Sequence, residues 1–254
     1  MTYKSHPDLW DVEDADTVLW RYMDLYRFLD LLQESELHLT RVDQMEDKWE
    51  GSFSDLNVAE RPAIYAEHWS ESFAKAMHNL YLHGRTHTYL NCWYMGDAES
   101  YAMWKLYDAA GKGVAVKATI GRLQASLKGV HRPEVCGSQV KYVNYATTYI
   151  PERNLFLPYI HKRLSFAHEQ EYRLLAMWSP KVLETDQNNT ATLTEPDVPP
   201  VLLREAVDLD ELIGSVYVSP DAPDWVAKVV SEVTRQYLPR LEVRHSDLAA
   251  DPVF

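Results

Sequence analysis

The chain has 254 residues, 46% apolar and 25% charged, the mix of a soluble globular protein, which excludes disorder over its whole length. No run of about 18 apolar residues exists, so no transmembrane helix is expected; the N-terminus lacks the apolar stretch of a secretory signal; and Cys92 and Cys136 are too few for a disulfide framework or a cysteine-rich zinc site. The net charge of −13 argues against general binding to nucleic acid or an anionic membrane, and the cysteine usage points to a reducing cytoplasm.

In chain order, Val18–Tyr22 reads as a short strand, and Asp24 as the N-cap of a helix carrying Leu25, Phe28, Leu29 and Leu32 at helical spacing. Glu36–Val42 alternates as a strand does, and Asp43–Asp55 follows as an acidic loop containing Gly51. Pro62 suits the first turn of one long helix through Phe73 and Leu80, ended by Gly84. Thr88–Met95 is a buried strand, Glu99–Ala109 a helix, Gly113–Thr119 a strand, Ile120–Leu127 a short helix and Gln139–Tyr145 a strand. A helical stretch over 154–166 leads into the strand Glu171–Trp178. Residues 179–200, rich in Asn and Pro, are expected as an extended or mobile loop. Val201–Val207 and Ser215–Val218 are strands, Ala222–Tyr237 a helix and Leu241–Arg244 a last strand. Interleaved strands and helices without a repeat predict one α+β domain over 1–254, with mixed or antiparallel sheets and flanking helices.

The segment His168–Arg173 is the most informative. In an extended strand, residues two apart share a face, so Glu169, Glu171 and Arg173 would form one row, with His168, Gln170 and Tyr172 opposite. Two adjacent carboxylates can hold sugar hydroxyls or stabilise a developing cation, and crowding raises one of their pKa values. The plainer explanation is an exposed edge strand whose charges pair across the sheet. Upstream, residues 112–173 carry ten Lys/Arg, Lys162 and Arg163 among them, against four Glu, a local excess of +6 in an acidic chain. That excess is either a local anion-binding surface or a set of unrelated solvated faces. Arg21 is unusual inside a strand, where its guanidinium could grip a pyrophosphate bidentately. The acidic loop (Asp43, Glu46, Asp47, Glu50) does not fit calcium-ligand spacing, and His83 and His87 lack a zinc motif, so no metal is expected. Cys92 lies in an apolar strand and reads as a core thiol.

Several stretches together resemble a bacterial family known as domain of unknown function 2971: Leu19-Trp20-Arg21-Tyr22, Asp47-Lys48-Trp49-Glu50-Gly51, Cys92-Trp93, Ala102–Tyr107, Gly111–Val116, and Lys162 through Glu169-x-Glu171-x-Arg173. The layout is similar to a distant variant of the ADP-ribosyltransferase fold. This resemblance implies NAD as substrate, Arg21 on its phosphates or ribose, and Trp93 or Trp104 stacked on nicotinamide. It also implies Glu171 as the catalytic carboxylate, Glu169 orienting or deprotonating a protein or nucleic-acid acceptor, and a cytoplasmic toxin or phage-defence effector. Lys162 and Arg173 complete the expected binding set. The Ser-Thr-Ser strand of that class has only Thr86-His87-Thr88 as a poor counterpart, and Phe166 stands where the family usually has tryptophan. The alternatives are a non-catalytic nucleotide- or nucleic-acid-binding module using residues 112–173, and a metal-dependent nuclease using Glu169, Glu171 and the acidic loop.

Overall fold

The computed structural model describes residues 3–68, 70–108, 111–128, 134–152, 154–178, 182–185, 191–193, 198–250 and 252. In chain order the elements are β1 (Val18–Met23), α1 (Leu25–Glu34), β2 (Glu36–Arg41), α2 (Asp55–His68), α3 (Glu71–His87), β3 (Thr88–Met95), α4 (Tyr101–Tyr107), β4 (Val114–Thr119), α5 (Ile120–Ser126) and β5 (Val135–Gln139). Then come β6 (Lys141–Val143), β7 (His161–Arg163), β8 (Glu171–Met177), β9 (Val182–Thr185), β10 (Ala191–Leu193), β11 (Leu202–Ala206), α6 (Leu209–Leu212), β12 (Ser215–Val218), α7 (Asp224–Tyr237) and β13 (Val243–His245). The fold is one α+β domain, as the interleaved pattern predicts.

Among the described residues, nine strands form one mixed sheet in which only the β12–β13 pair is parallel. Its path runs β11-β2-β3-β1-β4-β12-β13, with β8 joining β3 to β5. Strand alternation sorts the side chains. Tyr172, Leu174 and Ala176 of β8 enter the main core with Leu19, Leu39, Trp93, Val116 and the apolar faces of α1 and α7. Leu175 enters a second core with Leu90, Ile150, Tyr159 and Phe53. Asp24 caps α1 by accepting from the Arg27 N–H at 2.8 Å, as its sequence position predicts.

The feature that shapes the site is a divergence in the sheet. One edge of β3 pairs with β8 along its length. The other edge pairs with β2 at Tyr89 and Leu90 and with β1 at Tyr94 and Met95. At Asn91–Trp93, between those two registers, β1 and β2 separate, and side chains bridge the split. The Arg21 guanidinium donates to the Cys92 carbonyl at 2.8 Å, and the Asn91 amide donates to the His38 carbonyl at 2.8 Å. Buried backbone carbonyls need such partners where a ladder stops.

Four expectations differ from the structure. The long helix is two, α2 and α3, with Pro62 inside α2. Gly84 does not end α3; it is the place where the Tyr159 hydroxyl rests, 2.7 Å from where a Cβ would stand. The strand expected over 139–145 is β5 and β6, with β6 pairing parallel to β7. The helical stretch over 154–166 is instead short 3-10 turns at Leu157–Ile160 and Leu164–Glu169 flanking β7. The expected loop over 179–200 lies mostly outside the described residues, though β9 and β10 within it pair antiparallel.

Candidate functional site

The split opens into a cavity of about 390 Å³, within the range of small-molecule sites. Arg21, Cys92, Trp93, Tyr94, Tyr107, Lys162, Glu169 and Glu171 all line it. The sequence-predicted Arg21 and Glu171 therefore face one space, with aromatic rings among its walls. Arg21 also lies over the Trp93 ring, 5.8 Å from its centroid, and burial lowers its pKa. Asp30 of α1 and His38 of β2, paired at 2.8 Å, line the cavity as well.

Lys162, Glu169 and Glu171 belong to a five-member ion cluster completed by Glu50 and Arg173 behind the cavity lining. Arg173 is fully buried and every guanidinium N–H has an acceptor. Nε and Nη2 donate to Glu171 at 2.7 and 3.1 Å. Nη1 and Nη2 donate to Glu50 at 2.6 and 3.1 Å, and Nη1 also reaches the Tyr159 carbonyl at 2.6 Å. Lys162 of β7 donates to Glu171 at 2.8 Å and to Glu169 at 2.5 Å, and lies 3.8 Å from Glu50.

Local chain geometry delivers each member. Glu50 comes from the acidic loop, where the Asp47 side chain accepts the Trp49 N–H at 3.0 Å and its carbonyl accepts the Glu50 N–H at 2.9 Å. Gly51 follows with φ +69°, and any Cβ there would collide with the Tyr159 ring. The row expected for Glu169, Glu171 and Arg173 needs correcting. Glu169 ends a 3-10 turn, and Gln170 adopts a left-handed conformation, φ 38° and ψ 54°, before β8 begins. Such a conformation costs a non-glycine residue on the order of 1 kcal/mol and is kept where surroundings enforce it. Here the Gln170 carbonyl accepts the Met95 N–H at 2.9 Å. Lys162, not strand pleating, gathers the two glutamates.

Burial disfavours the Glu171 carboxylate, but Arg173, a hydrogen bond shared with Glu169, and Lys162 outweigh it and hold the pKa well below the usual range. Burial and the neighbouring Glu171 push Glu169 the other way, up to about 8, against the pull of Lys162. Burial opposes charge on Lys162 and Arg173 too, yet the surrounding carboxylates raise both above their ordinary values. Burial alone dominates at the Cys92 thiol, which is raised well above its usual pKa, consistent with an unreactive thiol.

No family model, curated protein or solved structure matches the chain.

Two of the expected ligand contacts are placed elsewhere. Arg173 spends all its donors on protein acceptors. Trp104 is not among the residues lining the cavity; it packs behind them with Trp20, Tyr22 and Tyr217 and donates to Glu99 at 2.8 Å. Tyr107, on the same helix, lines the cavity and is 43% exposed. Thr88 is buried at the start of β3, where it pairs with Met177 and is not among the lining residues. Among the described residues, no group of three or more His, Cys, Asp or Glu is arranged to hold a metal.

The basic segment does not form one surface. Lys162 and Arg173 are buried, Arg163 pairs with Asp47 at 2.8 Å and Lys128 with Asp208 at 3.6 Å. Arg122 caps the carbonyls of Asp210 and Ile213, while Lys117 and Lys141 lie over Trp20 and Trp10. Arg132 and Arg153 lie outside the described residues.

Sequence reasoning missed Asn91, Tyr107 and the attachment of Glu50 to Arg173. An asparagine between Leu90 and Cys92 in an apolar strand was a usable signal, because a buried amide needs partners. The Glu50–Arg173 contact, 123 residues apart, left no local signal.

Proposed function

We propose that this chain is an NAD-consuming enzyme of the ADP-ribosyltransferase type, belonging to the domain of unknown function 2971 family and acting in the cytoplasm as a toxin or phage-defence effector. The observation that carries the reading is the shared cavity: Arg21 at the split in the sheet and the paired glutamates line one space. Arg21 supplies a fixed positive charge for the pyrophosphate, and Tyr107 an exposed ring for nicotinamide. Glu171 is held ionised, as suits a carboxylate that accepts a hydrogen bond from the ribose 2′-hydroxyl and faces a developing oxocarbenium ion. The bond from C1′ to the nicotinamide nitrogen breaks, with its electron pair leaving on nicotinamide. The acceptor's nucleophilic atom then bonds C1′ and gives up its proton, with Glu169 placed to orient the acceptor or take that proton. Arg173 and Lys162 hold the two carboxylates in place. The acceptor is a protein or nucleic-acid group. Both cysteines are free thiols, in keeping with a reducing compartment.

Calorimetry with NAD, followed by an assay of nicotinamide release, tests the reading. Binding is expected for the native chain and is weakened by Arg21→Met. Glu171→Gln should abolish nicotinamide release while NAD binding and the circular dichroism spectrum persist, since the cluster can spare one carboxylate without leaving a cation in excess. Absence of NAD binding at millimolar concentration would overturn the proposal.

A further inference from the structure

The five grouped side chains do not balance. Among the described residues, Glu50, Glu169 and Glu171 form ion pairs only with Lys162 and Arg173, while Arg21 of β1, which lines the same cavity, donates to the Cys92 carbonyl; full ionisation would leave the cluster one uncompensated negative charge in a largely buried place. The surplus is resolved most cheaply where one carboxyl keeps its proton. Glu50 and Glu171 each chelate Arg173, whereas Glu169 touches only the ammonium of Lys162 among the two cations and is the most exposed carboxylate of the three.

We propose that Glu169 is the proton-carrying member of this cluster, and that Glu50, from behind Arg173, is the positioning residue that keeps it so. The acidic loop is then part of the site's acid–base apparatus, although Glu50 does not line the cavity. The link runs through charge number. Arg173 divides its two faces between Glu50 and Glu171, so neutralising Glu50 leaves two carboxylates opposite two cations, and Glu169 no longer has reason to hold a proton. Burial and the neighbouring Glu171 raise Glu169 to about 8, the direction expected of a proton-carrying carboxyl.

The other groups facing Glu169 are consistent with it. Lys162 lies on β7, Glu171 on β8, Tyr142 on β6 and Tyr107 on α4, and Cys92 of β3 and Arg21 of β1 line the same cavity. Burial raises the pKa values of Tyr142, Cys92 and Tyr107, so these three stay neutral through the range that matters. Arg163 is committed to Asp47. In the NAD reading, Glu169 would meet the acceptor as a hydrogen-bond donor at neutral pH and become a base only above about 8.

The charge count does not depend on that reading and is tested without NAD. Carbon-13 side-chain titration of the glutamates, assigned with Glu169→Gln, should show Glu169 titrating near 8 in the native protein. In Glu50→Gln the midpoint should fall by about one pH unit or more, and in Glu50→Asp, which keeps the charge, it should stay. Should Glu50→Gln not fold, Lys162→Met supplies the opposite test, since losing a cation must raise the midpoint. A native Glu169 titrating near 4.5, or a midpoint indifferent to both substitutions, overturns the inference. A normal titration series with no NAD binding would instead leave the charge relay standing and remove the transferase.

Discussion

Two buried ion networks in this fold look alike on a list of contacts and differ in what they leave over. In the first, Glu152 receives Arg61 at 3.0 and 3.1 Å, the Tyr65 hydroxyl at 2.8 Å and the Asn57 amide at 3.0 Å. Among the described residues one cation meets one carboxylate, neutral donors add hydrogen bonds, and Arg61 lies over the rings of Phe53 and Tyr81. This network fastens α2 to the chain around Ile150, whose carbonyl accepts from Asn57 at 2.7 Å. The second network carries a surplus carboxylate and opens onto a cavity. Satisfied networks hold structure together, whereas an unbalanced one beside a cavity is where perturbed proton affinities, and hence chemistry, are expected.

The comparison can be broken by removing the cation from each network. Arg173→Met would leave three carboxylates against Lys162 and is expected to cost about 3–5 kcal/mol in urea denaturation. Arg61→Met leaves Glu152 its neutral donors, so about 1–3 kcal/mol is expected, with nicotinamide release unchanged. Equal costs would mean that the two networks tolerate the loss of a cation alike, and the contrast between them would fall.

A smaller effect concerns pH. The folded-state pKa of Glu169 is raised from 4.5 to about 8, so the folded protein holds a proton that the unfolded chain releases between those values. The stability this group contributes is fully present below about 4.5 and is lost as pH rises towards 8. Glu171, shifted downward, acts with the opposite sign, and its contribution is lost only in acid. Denaturation midpoints followed across this interval should fall with rising pH in the native chain, and the fall should flatten in Glu169→Gln. A slope unaltered by that substitution would assign the titration to another group.

The smallest expected effect separates the aromatics of α4. Tyr107→Ala should weaken NAD binding by about 2- to 10-fold, the loss of one stacking contact, while Trp104→Phe should leave it unchanged. The reverse order would return the stacking role to Trp104.

Local physics was enough to read β1, α1, β2, β3 and β8, because each shows its period and its cap within a few residues. The same holds for Arg21, a charge inside an apolar strand; the two glutamates stand out as well, but for a strand row that the Gln170 turn breaks. What was not legible depended on distant partners. The stretch 154–166 looks helical in sequence because it has no strand period, and the turn at Gln170 that takes Glu169 off the line of β8 has no local signature. The basic excess between 112 and 173 looked like a surface, since sequence does not reveal that carboxylates from the loop at Asp47–Glu50 and from β8 neutralise its central members. The split at Asn91–Trp93 is a property of three strands together and has no signature in any one of them.

Tyr159 gives that assembly a wider reach. Its carbonyl accepts from Arg173, its ring closes on Gly51 and its hydroxyl rests on Gly84 of α3. A single aromatic wedge thus couples a helix, a loop and the charged wall of the cavity. Damage at Gly84, whose residue does not line the cavity, should be felt there as a displaced guanidinium, so loss-of-function substitutions in this chain need not cluster around the ligand.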